Sequence, residues 1–412
     1  MSNTLSVIDM VLRESLRVAH EKATFLGTIN RSYDDSFAKS GAKVGASLRV
    51  RNPNQYTRTQ GSRVMDVQDI VESTQTVTVA TQDHVDIRLN SAELELNFDD
   101  LSERVIVPAV SALISGIESD VLVGLTKGVA NTTGAAGTVV GASDISAIGN
   151  ARAKLNQGLA PKDGNRYVQM DSVTMASVAT KLNTLFHPAA QIEQSFREGF
   201  ISRTAMADFY ENERTWTYTS PDDIAWAVDD TAALAAYTDA AGVAALNMDT
   251  GGTNFPIGTV FTIADLYDCH PETKQKYSHL KQFTVTAVGT ISGNQGEVTF
   301  EPAIRIGGAR QNCYLASGAI ADLEDNVVTI WGGGASTAYR QNLMYHKDFA
   351  TFVTADLPLM GGADSCVRRV QDGLAMRVWK DGDIRNDELL MRIDMLYGYK
   401  LLRGDWACRL SN

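Results

Sequence analysis

Cysteine, histidine and proline are all scarce in this 412-residue chain, at four, six and nine residues. The four cysteines (Cys269, Cys313, Cys366 and Cys408) lie too far apart for a disulfide framework. They read as reduced thiols of a cytosol-like compartment. Uninterrupted apolar runs are short as well. None reaches the roughly 18 residues of a membrane-spanning helix, and Asp9, Arg13 and Glu14 interrupt the N-terminal stretch where a signal sequence would be apolar. Neither a spanning segment nor a secretion signal is expected. The short motifs of catalysis are missing too: no phosphate loop, no dinucleotide glycine fingerprint, no nucleophile elbow and no zinc-protease helix. Cys269 and His270 with His279 come nearest to a metal cluster, but structural zinc takes four ligands and a second close pair is absent. The sequence therefore predicts no catalytic centre, no cofactor and no metal.

What is present is ordinary globular composition, 44% hydrophobic and 21% charged, with a net charge of −12. At about 100–200 residues per domain the length predicts two to four structural units. An acidic chain makes a poor nucleic-acid or anionic-membrane binder, because both need clustered Lys and Arg.

Leu5, Ile8, Leu12, Leu16 and Ala19 recur at helical spacing and predict a helix over 4–22 that ends by Gly27. From Asn30 to Phe98 the pattern turns to period two, with Val77 and Val79, then Val85, Ile87 and Leu89, then Leu94, Leu96 and Phe98. That alternation predicts extended hairpins. A long helix follows. Asp99 and Asp100 stand at its cap with Glu103 close behind, and Ile106, Val110, Leu113, Ile117, Val121 and Leu125 form its apolar face. Gly128 and Asn131 stop it after about 40 Å, with a bend expected at Pro108. Helices over 144–158 and 172–186 flank a strand at Arg166–Met170. Beyond Thr215 the chain becomes rich in short strand candidates, among them Thr259–Ile263 and Phe283–Val288, and residues 392–400 and 406–410 read as closing strands.

Charge is segregated. Between Ser36 and Met65 stand Lys39, Lys43, Arg49, Arg51, Arg58 and Arg63 with no acid, and between Thr215 and Thr273 stand nine acids with no Lys or Arg. Asp222, Asp223, Asp229 and Asp230 lead the acidic stretch. Opposite charges held apart in one chain suggest copies that meet each other, with Arg49, Arg51, Arg58 and Arg63 on one side of the contact. Asp99, Asp100 and Glu103 near the long helix are a second candidate partner surface. Adjacent acids such as these also serve commonly as turn and helix caps.

Several segments carry a family resemblance: Glu198–Arg203 followed by Ala207–Tyr210, then Pro271–Lys274 with Leu280–Val285, and Glu297–Pro302. Together with the order of parts, they make the chain resemble tailed-phage major capsid proteins, specifically coat proteins of the phage P22 type. The resemblance implies an α+β HK97-type capsid fold: an N-terminal arm (1–29), an extended β-hairpin loop (30–98) and a spine helix (99–131). A peripheral and axial body (132–214 and 306–412) and an inserted β-rich domain (215–305) complete it. It implies a non-enzymatic protein that self-assembles into pentamers and hexamers of an icosahedral head in the bacterial cytoplasm. Scaffolding and portal proteins would be its partners, and packaged double-stranded DNA would lie inside without sequence-specific contact. A non-viral compartment shell of the same fold and a soluble enzyme are the alternatives.

Overall fold

A computed structural model describes residues 7–31, 47–61, 65, 67–68, 72–90, 102–142, 145–185, 206–359, 361, 365–371, 373–383, 385 and 388–412. They form two compact units, one from 1–50, 74–122 and 350–402, the other from 51–73, 123–349 and 403–412.

The first unit is built on an antiparallel sheet. Strands β16 (Ala350–Ala355), β17 (Ser365–Gln371), β18 (Leu374–Asp383) and β19 (Glu388–Leu401) lie in the order β16-β19-β18-β17, and β3 (Thr81–Asn90) pairs with β19 from Asn90 opposite Glu388 to Thr81 opposite Tyr397. Helix α1 (Val7–Lys22) packs against β17 and β18. Its expected apolar face is buried at Leu12, Leu16 and Ala19. Gly27 does not end the arm but sits inside a short second helix, α2 (Phe25–Thr28). Strands β1 (Ser47–Asn52) and β2 (Ser73–Thr78) form a separate two-stranded sheet. Arg377, 6% exposed, donates to Asp394 and to the Pro358 carbonyl (2.8 Å), a buried pair joining β18 to β19.

The long helix, α3, runs from Val107 to Lys127 after a π-helical turn at Ser102–Ile106. Pro108 sits just inside the α-helical segment, where a missing N–H costs little. By length and composition alone, Arg104–Gly128 could cross a membrane. Its apolarity has another cause here: Ile106, Val110, Leu113, Ile114, Ile117, Val121, Leu122 and Leu125 are all core residues. The expected cap, Asp99 and Asp100, lies outside the described residues.

In the second unit, β4 (Thr132–Thr133), β5 (Arg166–Met170), β6 (Asp208–Glu211), β7 (Trp216–Thr219), β15 (Ala338–His346) and β20 (Ala407–Ser411) form a six-stranded sheet centred on β15. Helices α4 (Ser146–Gln157) and α5 (Ser172–Leu185) accompany it. Between β7 and β15 the chain leaves this sheet and returns to it, for Thr219 pairs directly with Ala338. The neck is tied by Ser220, whose N–H donates to the Thr337 carbonyl (2.9 Å) and whose hydroxyl donates to the Gly334 carbonyl (2.6 Å).

The excursion is a closed antiparallel barrel. Strands β8 (Ala225–Val228), β9 (Val243–Asp249), β10 (Val260–Cys269), β11 (Lys276–Val288), β12 (Gly296–Ile304) and β14 (Val327–Ile330) run in the order β11-β12-β9-β8-β14-β10, and β10 pairs back onto β11. The short β13 (Cys313–Leu315) extends β10, and helix α6 (Thr231–Ala235) precedes β9. Closure removes the open edges that invite aggregation. Alternation fills the inside: Val298 and Phe300 point inward while Glu297 and Glu301 face out. Phe261, Phe283 and Phe300 meet at ring separations of 5.3–5.6 Å. Sheet pairing continues to Ile330, so the expected boundary at 305 cuts the barrel short. Strands β13 and β14 span only three and four residues, too few for periodicity to register beside the glycine turns around them.

Candidate assembly surfaces

The basic stretch is exposed where it is described. Strand β1 alternates, with Val50 in the core and Arg49 and Arg51 turned outward. Arg51 meets Glu72 at 3.3 Å, yet both side chains stay largely in solvent, so the pair contributes little. Arg58 is exposed, with Gln60 its neighbour at 3.4 Å. Arg63, Lys39 and Lys43 lie outside the described residues, as do Asp99 and Asp100. Glu103 falls in the π-helical turn.

The acidic quartet is busy within its own barrel. Asp222 accepts from the Thr253 N–H (2.9 Å), the Thr253 hydroxyl (2.6 Å) and the Asn254 N–H (3.1 Å), and the Thr253 bonds hold its pKa below the usual carboxylate value. A Cβ on Gly252 would stand 2.2 Å from that carboxylate, which accounts for the glycine. Asp223 accepts from the Ala225 N–H (3.0 Å), and Asp229 accepts from Gln295. Asp230 caps α6 through the Ala233 N–H (2.9 Å) and accepts from Asn247 (2.9 Å). These acids thus fix turns and a cap, the common role of adjacent acids.

Other polar groups, which sequence patterns did not single out, hold the elements together. Glu118 is fully buried on α3, and its carboxylate accepts from the Thr24 hydroxyl (2.7 Å), the Thr24 N–H (3.1 Å) and the Phe25 N–H (3.1 Å). It caps α2 and anchors the arm to the long helix. The Tyr397 hydroxyl lies 3.0 Å from Asp120 on α3 and 3.2 Å from Asp83 on β3. A charge interrupting an apolar helix was the available signal for Glu118 and Asp120.

The barrel joins the six-stranded sheet through a buried polar seam. Arg409 on β20 is 1% exposed and donates to the carbonyls of Gly258 (2.6 Å) and Lys127 (2.9 Å) and to the Thr284 hydroxyl (2.9 Å). Burial without a carboxylate partner pushes its pKa down to about 9, so it remains charged at neutral pH. A cation on the last carbonyl of α3 also complements the helix dipole. Gly258 has φ +89°, and a Cβ there would approach Trp216 to 2.6 Å. Gln282 exchanges two hydrogen bonds with the Thr132 backbone (3.0 and 3.1 Å). No group of three His, Cys, Asp or Glu able to hold a metal occurs among the described residues. Cys269 lies beneath Gln311, and His279 pairs with Asp268 at 3.3 Å.

A helical arm, extended strands, a long core helix and a mixed body define an HK97-type coat subunit, a chain that builds shells. Residues 3–407 match the family model described as "P22 coat protein - gene protein 5", and the chain belongs to that family. It is a structural protein of a virion capsid, not an enzyme. No curated protein sequence matches it. Among solved structures it is similar to Mycobacterium phage Che8 (10% identity, TM-score 0.49, covering 94% of this chain and 90% of that one). It is also similar to the capsid of Myoviridae phage XM1 (9%, 0.41, 94% and 91%) and to a virus-like particle from Pyrococcus furiosus (7%, 0.36, 98% and 98%).

Proposed function

We propose that this coat subunit assembles in the bacterial cytoplasm into pentamers and hexamers around a scaffolding protein and a portal protein. The resulting head then expands as it takes in double-stranded DNA. The observation that carries the reading is the family match over nearly the whole chain. In this reading 1–29 is the N-terminal arm, 30–98 the extended loop and 99–131 the spine. The insertion expected at 215–305 is redrawn in this proposal as about 221 to 336, which the pairing of Thr219 with Ala338 supports, and the body takes the remainder. Arg49, Arg51, Arg58 and Arg63 face an acidic surface on a neighbouring copy. Asp222, Asp223, Asp229 and Asp230 remain candidates for that surface beside their local bonds.

Electron microscopy of the purified subunit, expressed with and without the scaffolding protein of its phage, tests the proposal. Closed shells with five- and six-fold capsomers are expected with scaffold, and irregular assemblies without it. A subunit that stays monomeric under both conditions contradicts it. Nuclease-protected DNA in particles from infected cells separates a phage head from a compartment shell.

A further inference from the structure

A cavity of about 70 Å³ lies in the second unit where α4, the barrel strands β10 and β11 and the loop before β13 come together. That is several times the space one water needs. Its charged lining comprises Lys154 on α4, Asp268 on β10, Lys281 on β11, Arg310 and Asp405. Lys281 and Asp268 are buried and joined at 3.0 Å, while Asp405 is exposed.

The Lys154 ammonium has no such contact. No side chain or carbonyl among the described residues accepts a hydrogen bond from its ammonium, and none pairs with it as an ion. Burial lowers its pKa, and the nearby Asp268 carboxylate offsets part of that. The wall thus carries Lys154 and Lys281 with Asp268 and Asp405, and of the two ammonium groups only that of Lys281 has a carboxylate within ion-pair distance. A partly buried ammonium with no contact partner of its own leaves room for an anion beside it. Gln157 lines the same cavity, and its amide oxygen is buried without a partner. Turned by half a rotation, that amide presents its NH2 group inward as a donor. An ammonium and an amide on one side of a small polar cavity suit a tetrahedral oxyanion.

We propose that this cavity binds a small oxyanion of the inorganic phosphate or sulfate class, with Lys154 as its ionic partner, and that the bound ion ties the barrel to the helical side of the body. A DNA phosphodiester offers the same chemistry, and the experiment below separates the two sources.

Calorimetric titration of sodium phosphate into the full-length subunit at fixed ionic strength, with thermal unfolding alongside, tests this. Saturable binding at one site is expected, with a rise in Tm of about 2–4 °C. Lys154→Arg and the surface control Lys162→Met should keep the response. Lys154→Met should lose it, with a Tm in chloride no lower than that of the unaltered protein, and Lys154→Gln repeats the comparison if the methionine variant does not fold. An unaltered protein that behaves like Lys154→Met overturns the proposal. So does a response to short duplex DNA that inorganic phosphate does not elicit.

Discussion

Glu118 brings a negative charge into the middle of an apolar helix, and its three hydrogen bonds to Thr24 and Phe25 make that charge an anchor. Glu118→Ala strands two backbone N–H groups and should destabilise the first unit by about 3 kcal/mol. Chemical denaturation measures the loss, and faster amide exchange at Thr24 and Phe25 would place it at the arm. Asp268 carries the clearest pH dependence. Burial alone would raise its pKa, but His279 and the Lys281 ammonium hold it at about 2. A carboxylate depressed from its unfolded value near 3.8 adds stability that is complete above about pH 4 and disappears as the pH falls toward 2. Asp268→Asn should therefore cost about 2 kcal/mol at neutral pH, and the gap from the unaltered protein should close across that acid window. At this scale the sequence was least informative. Asp222 and Asp230 stood out by charge, but their bonds to Thr253 and Asn247 span chain separations that no local pattern encodes.

Elements were more legible, and the reason is periodicity. Helix α3 emerged close to its expected range because it buries a face long enough to repeat its pattern, whereas strand β5 is buried at four of its five residues. The β-rich character of the segment after Thr215 was legible, but its last barrel strand was not, since β14 is four residues long and pairs with both β8 and β10. That topology predicts how the segment behaves in isolation. A fragment of residues 221–336 should fold cooperatively with a β-type circular dichroism spectrum. A fragment ending at 302 leaves β8 and β10 without their shared neighbour and should lack a cooperative transition. Equal folding of both fragments would show that β14 is dispensable for closure.

For the whole molecule, assembly depends on weak contacts repeated many times. Each exposed charge pair contributes only about 0–1 kcal/mol, but a closed shell multiplies it over every copy. Arg51 and Arg58 are exposed, and among the described residues the side-chain partners are Glu72 for the first and Gln60 for the second, so we propose that they reach a neighbouring copy. The long helix is apolar because it is a core element of the subunit, and we propose that exposed surfaces such as the basic strand supply contacts for shell formation. Replacing Arg51 and Arg58 by Glu tests this directly, with sedimentation and electron microscopy as the readout. The predicted result is a folded subunit with an unchanged circular dichroism spectrum that no longer forms shells. Normal shells that package DNA poorly would contradict the subunit-contact account and assign these arginines to DNA instead.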